Sequence, residues 1–184
     1  MRYNVVFVGN VGVGKTSIIQ KYLNNSTSVR STLAVDFVSL ELGKFNISLW
    51  DTCGQERFFA ITSSYFARAH IFILVHNIEE PSDTCLRKWH EEIVSKCPAR
   101  HESVVIVVSN KTDLVPFCSA AISKWISDHD FDHVFTCANT DTGIDKLFQK
   151  IEDAITVNQS DWLAPTLPAL PSCDAAAVSP GCSC

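Results

Sequence analysis

Residues 3 to 23, YNVVFVGNVGVGKTSIIQKYL, set an apolar β-branched run, a loop with three glycines and a helix-patterned run in direct succession. An apolar strand that passes so abruptly into a helix opens a β–α unit, and such units build parallel sheets covered by helices. The rest of the chain keeps the alternation. Strand-like runs recur at VDFVSLEL, FNISLW, IFILVHN, SVVIVVS and HVFTC, and helical patterning at PSDTCLRKWHEEIVSKC, PFCSAAISKWISDH and TGIDKLFQKIEDAI. Strands apolar on both faces imply a six-stranded, mostly parallel α/β sheet with helices on both sides. The exception is VDFVSLEL and FNISLW, joined by Gly43-Lys44, which reads as a hairpin supplying one antiparallel edge strand.

A chain of 184 residues holds one domain with a full core. The pattern places that domain at 1–157 and leaves 158–184, rich in Pro, Ala and Ser and without Lys or Arg, as a disordered tail. The net charge of −5 argues against nucleic acid as a partner. The longest apolar stretches, at 71–75 and 104–108, are too short to cross a bilayer, and the N-terminus lacks the apolar core of a signal peptide. A cytoplasmic protein follows, in which Cys53, Cys85, Cys97, Cys118 and Cys137 are expected to be free thiols because they show no metal-type pairing and no export signal is read.

The glycine loop fits G-x-x-x-x-G-K-[ST] from Gly9 to Thr16, between a strand and a helix, where the backbone N–H groups can wrap phosphate. The residues expected to hold it are Asn10, Val11, Gly12, Val13, Gly14, Lys15, Thr16 and Ser17, with Lys15 on the outer phosphates and Thr16 on Mg²⁺. A glycine-rich turn without a ligand is the bland alternative. Further on, NKTD comprises Asn110, Lys111, Thr112 and Asp113. The Asp113 carboxylate could accept from two adjacent ring N–H groups, which guanine offers and adenine does not. Alone the tetrapeptide is an ordinary turn; beside a phosphate loop it selects GTP/GDP. In WDTCGQERF, Asp51 is placed to hold Mg²⁺ through water, the Gly54 amide to approach a terminal phosphate, and Gln55 to orient a water. Asp51 could instead cap a helix and Gln55 be a solvated loop residue. Thr32, ending the polar stretch 24–32, could close on the metal when a third phosphate is present.

Together GNVGVGKT, STLAVDF, WDTCGQERF, NKTD and TCAN resemble the phosphate loop, the two switch segments and the base-reading loops of Ras-superfamily small GTPases. The likeness covers nearly the whole chain, and RFFAIT, SYFARA and LVHNIE are similar to Rab segments. It implies a P-loop NTPase fold, catalysis by Gln55 and Lys15, metal ligation by Thr16, Thr32 and Asp51, and a base loop formed by Cys137, Ala138 and Asn139, the Ala138 amide meeting the guanine carbonyl. It further implies effector recognition through Phe37, Trp50 and Tyr65, though as bare sequence these are equally core or hairpin residues. An exchange factor, a GTPase-activating protein, a Rab escort protein and a GDP-dissociation inhibitor are the other partners implied in vesicle traffic. Ala34, Cys53, Cys137 and Asn139 depart from the usual Rab residues, and the hairpin is shorter than usual.

Val11 departs most. In the family this position lies against the terminal phosphate, and a stiff β-branched side chain there would crowd Gln55, the water or an arginine finger, giving slow hydrolysis. The alternatives are that Val11 merely packs, or that the protein is a GTP-locked interaction module. An ATP-dependent kinase is a further rival, opposed by NKTD. The final Cys182-Ser183-Cys184 resembles the Rab signal for double geranylgeranylation, which two lipid chains would make a stable anchor on an endomembrane.

Overall fold

The computed structural model describes residues 1–23, 35–52, 66–97, 103–115 and 117–163. Its elements in chain order are β1 (Arg2–Val8), α1 (Lys15–Tyr22), β2 (Val35–Leu42), β3 (Phe45–Thr52), β4 (Ile71–Asn77), α2 (Thr84–Lys96), β5 (Val104–Asn110), α3 (Ala120–Asp128), β6 (Asp132–Thr136) and α4 (Ile144–Leu163). The strands form one six-stranded sheet in the order β2-β3-β1-β4-β5-β6. All neighbours run parallel except β2 and β3, so the expected hairpin is present at one edge. Gly43 enables its two-residue turn with φ +54, and the Glu152 carboxylate of α4 stands where a Cβ on Gly43 would lie.

The unbroken apolar runs have a simple cause: successive side chains of a strand point to opposite faces, and here both faces are covered. Val5, Phe7, Ile71, Ile73, Ile106 and Val108 face one layer with Ile18 and Ile19 of α1 and Leu147, Phe148, Ile151 and Ile155 of α4. Val6, Val8, Phe72, Leu74 and Val107 face the other, with Leu86, Trp89 and Ile93 of α2 and Ile122, Trp125 and Ile126 of α3. Each such side chain contributes roughly 1.5–3 kcal/mol of burial free energy, so the two layers together hold the sheet between its helices.

Helix α3 begins at Ala120, where the Ser119 side chain accepts from the Ile122 N–H at 3.3 Å and caps the first turn. The boundary read at 157 falls inside α4, which continues to Leu163. The reason is Trp162, which is buried against Tyr3 and His70 at ring separations of 5.8 and 5.1 Å. One aromatic side chain five residues beyond the regular pattern thus extends the folded unit across the foot of β1 and β4. Residues 164–184, with Cys182 and Cys184, lie outside the described residues, as do 24–34 and 53–65, which include Thr32, Ala34, Cys53, Gly54, Gln55 and Tyr65. Among the described cysteines, Cys85, Cys97, Cys118 and Cys137 carry free thiols.

Candidate functional site

The carboxyl ends of β1, β4, β5 and β6 share one rim, with Asn77, Asn110 and Thr136 aligned across it. The chain leaves β1 toward β3 on one side and β4 on the other, which opens a crevice at that reversal of strand order. The glycine loop fills it. Gly9 has φ +137 and lies so close to β4 that a Cβ would strike the Val75 carbonyl. Gly14 has φ +99 and a Cβ there would strike the Asn110 carboxamide. Glycine is therefore required by both backbone conformation and space. Val13 turns inward and is buried in the core, whereas Val11 is 54% exposed.

Lys15 opens α1 and folds back over the loop. Its side chain is only 5% exposed, with Nζ donating to the carbonyls of Gly9 at 2.7 Å and Asn10 at 2.9 Å. The loop is thus curled around an ammonium group at the positive end of a helix dipole, an arrangement suited to anions. The Asn10 side chain turns to α2, donating to Cys85 Sγ and accepting from Trp89 Nε1, each at 3.0 Å. What Asn10 and Val13 offer a ligand is therefore backbone.

Thr16 stands one residue further along α1, and its hydroxyl donates to Oδ2 of the buried Asp51 at the end of β3. The neighbouring Thr52 hydroxyl donates to the Phe7 carbonyl at 2.6 Å and pins β3 beside β1. A carboxylate and a hydroxyl converging beside a phosphate-type loop are hard oxygen donors of the kind Mg²⁺ takes, with phosphate and water completing six positions. The residues fit such an ion.

On the far side, Asn110 ties three segments together. Its Nδ2 donates to the Val13 carbonyl at 2.7 Å and its Oδ1 accepts from the Thr136 hydroxyl at 3.0 Å, both buried. Lys111 takes φ +67, which turns the chain so that Asp113 faces the loop after β6. That loop is closed by paired bonds between the backbones of Cys137 and Thr142, at 2.9 and 3.1 Å. Asp113 accepts from Cys137 Sγ at 3.1 Å and from Asn139 Nδ2 at 3.3 Å. The Cys137 thiol first, then a backbone bond, the Asn139 amide and the Lys111 charge hold its carboxyl below the usual carboxylate range. Asp113 is thus an anion with a fixed orientation. Between the two halves lies a cleft of about 420 Å³ lined by Gly12, Gly14, Ser17, Asn110, Lys111, Asp113, Leu114, Cys137, Ala138 and Asn139. All but Leu114 are residues the motifs single out. At Gly12 a Cβ would meet no atom within 4 Å, so the cleft is open over the loop.

The sequence matches the Ras family over residues 4–157. The chain belongs to the Ras family. Rab proteins are among its relatives. It is 31% identical over 156 residues to Ras-related protein Rab-30 of Homo sapiens, covering 79% of this chain and 76% of that protein. To Ras-related protein Rab-1 of Theileria annulata it is 30% identical over 177 residues, with 89% and 80% covered, and to RABG3b of Arabidopsis thaliana 29% over 172 residues, with 85% of each covered. The chain is a Rab-type small GTPase of the Ras superfamily, and the fold is the P-loop GTPase fold expected from the sequence.

In this Rab-type protein Phe37 and Trp50 are a cross-strand pair of the hairpin, with ring centroids 4.7 Å apart, and Phe37 is 44% exposed. Trp50 Nε1 donates to Asn4 Oδ1 at 3.2 Å, which fixes the pair against β1. Among the described residues no helix is long and apolar enough to cross a membrane. Sequence reasoning missed the tie from Thr136 to Asn110. It also missed a polar chain beneath the rim, in which Ser109 Oγ lies 2.7 Å from Nε2 of both His76 and His133. These groups come from three separate strands and have no spacing signature that a linear reading could detect.

Proposed function

We propose that this Ras-family chain is a Rab-like switch that binds Mg²⁺·GTP, hydrolyses it slowly and recruits effectors to membranes in vesicle traffic. The observation that carries the reading is the single cleft lined on one side by the glycine loop and on the other by Asp113 and the Cys137–Asn139 loop. Its two walls suit the two ends of a guanine nucleotide.

Asp113, held ionised and oriented by Cys137 and Asn139, accepts the two adjacent N–H groups of guanine, while the Ala138 amide donates to the base carbonyl. Loop amides from Asn10 to Lys15 wrap the phosphates, with Ser17 at the rim. Lys15 is already desolvated among loop carbonyls and needs only a small excursion to meet the outer phosphates. Thr16 and Asp51 hold the metal side, joined by Thr32 in the GTP state. When bound, Mg²⁺ neutralises charge on the phosphate oxygens. Gln55 orients the attacking water and the Gly54 amide meets the terminal phosphate. Phe37, Trp50 and Tyr65 present the surface that effectors read, and the exchange factor, activating protein, escort protein and dissociation inhibitor act on the same switch. Lipids on Cys182 and Cys184 tie the cytoplasmic protein to an endomembrane. Slow hydrolysis follows from the stiff β-branched side chain of Val11 in the phosphate loop; a GTP-locked module is the limit of that effect.

Calorimetry with Mg²⁺ and GDP, GTP or ADP tests the reading. Tight binding of the guanine nucleotides, weak binding of ADP, and loss of that preference in Asp113→Ala are expected. Equal affinity for ADP would refute it.

A further inference from the structure

Asn10 stands in the phosphate loop, yet its side chain belongs to α2. An indole nitrogen can only donate, so the contact with Trp89 Nε1 at 3.0 Å fixes Oδ1 as the atom facing it. The amide nitrogen is thereby committed to Cys85 Sγ, also at 3.0 Å. Both α2 partners are anchored: Trp89 is buried in the apolar layer with Leu86 and Ile93, and Cys85 lies in the helix's first turn. The backbone carbonyl of the same Asn10 accepts from Lys15 Nζ at 2.9 Å. One residue therefore grips α2 through its side chain and the phosphate-facing ammonium through its main chain. With the side chain held at two points, rotation of the Asn10 peptide cannot occur without breaking a bond to α2. The Gly9 carbonyl also accepts from Lys15, at 2.7 Å, and Gly9 itself is packed so closely on β4 that a Cβ would strike the Val75 carbonyl. Of these two carbonyls, the one whose residue is tied to a distant helix is Asn10's.

We infer that Asn10 is a positioning residue through which helix α2 sets the placement of Lys15, so that the hold on a guanine nucleotide depends on Trp89 and Cys85. This rests on the nucleotide-binding reading above and adds the element that regulates it: displacement of α2 loosens the nucleotide although none of the residues that line the cleft belongs to α2.

The test is the release of GDP carrying an N-methylanthraniloyl fluorophore from the full chain in Mg²⁺, chased with unlabelled GDP. Asn10→Ala and Trp89→Phe are each expected to speed release roughly tenfold, and the double variant to be no faster than Asn10→Ala alone, because both break one linkage. Cys85→Ala should speed release by a smaller factor, and Cys85→Ser, whose hydroxyl still accepts from the amide, should restore the wild-type rate. This last pair changes neither the core nor the loop and stands if Trp89→Phe fails to fold. Release from Asn10→Ala within about twofold of wild type, or factors that multiply in the double variant, would overturn the inference while leaving nucleotide binding intact. Failure of the wild-type chain to retain labelled GDP would overturn the functional reading and this inference together.

Discussion

Acidification should weaken the native state through His76, and the size of the effect follows from its surroundings. His76 is on the central strand β4 and is 1% exposed. Its Nδ1 lies 2.9 Å from the Asn77 carbonyl, which can only accept, so Nδ1 carries the hydrogen. In the neutral ring Nε2 is then an acceptor, and the Ser109 hydroxyl donates to it at 2.7 Å. That uses the only hydrogen of Ser109, so His133 Nε2 must donate to Ser109 Oγ, also at 2.7 Å. Burial, opposed by the Asn77 carbonyl and aided by His133, pushes the His76 pKa from 6.5 down to about 4. The unfolded chain therefore takes up a proton as the pH falls below 6.5, whereas the native chain does not until about 4. Stability is fully present above 6.5 and is lost across that window. A gap of about 2.5 pH units at about 1.36 kcal/mol each gives roughly 3 kcal/mol. Burial lowers the pKa of His133 too, which adds in the same direction. Urea unfolding at a series of pH values from 7.5 to 4 measures this against His76→Phe, which keeps an aromatic ring on β4 but cannot titrate. The wild type should lose about 3 kcal/mol more than the variant over the series. Parallel pH profiles would refute the proton order and the burial argument behind it.

Other perturbations bear on the loop and the last helix. Val11→Gly should raise single-turnover GTP hydrolysis at least about tenfold by opening the space beside the terminal phosphate; an unchanged rate would show that Val11 merely packs. Gly9→Ala places a methyl against the Val75 carbonyl, which is backbone and cannot swing aside, and should cost at least about 2 kcal/mol in urea unfolding. Trp162→Ala should cost about 3 kcal/mol, and truncation after residue 157 a similar amount, because both remove the indole packed on Tyr3 and His70. Thermal or urea unfolding of the two variants in parallel checks this.

The fold was legible because its signals are local. Apolar runs such as IFILVHN and VVIVVSN became β4 and β5 with both faces covered, and Gly43-Lys44 became a two-residue turn. The cleft was legible for a different reason: its lining comes from three short contiguous segments, 12–17, 110–114 and 137–139, so most lining residues have neighbours in the chain that also line the cleft. What escaped notice is cooperative across segments. Trp162 follows the last regular helical repeat and extends α4 because Tyr3 of β1 and His70, just before β4, are there to receive it. Asn10 reads as one more loop residue until Cys85 and Trp89 are brought to its carboxamide from more than seventy positions away.

Cys137 and Asn139 show how a departure from pattern acquires meaning only in three dimensions. In sequence they are substitutions at a base-reading loop, and each by itself argues for a weaker grip on the nucleotide. In space both donate to opposite oxygens of Asp113, so they orient the carboxylate and favour its charged form, as a donor pair must if it is to leave the remaining lone pairs aimed at a ligand. A thiol donates more weakly than a hydroxyl, so the orientation survives while its stiffness falls. The consequence is that the substitutions should alter the rate of nucleotide release more than the choice between guanine and adenine, since that choice depends on the carboxylate's presence and the rate on how firmly it is held.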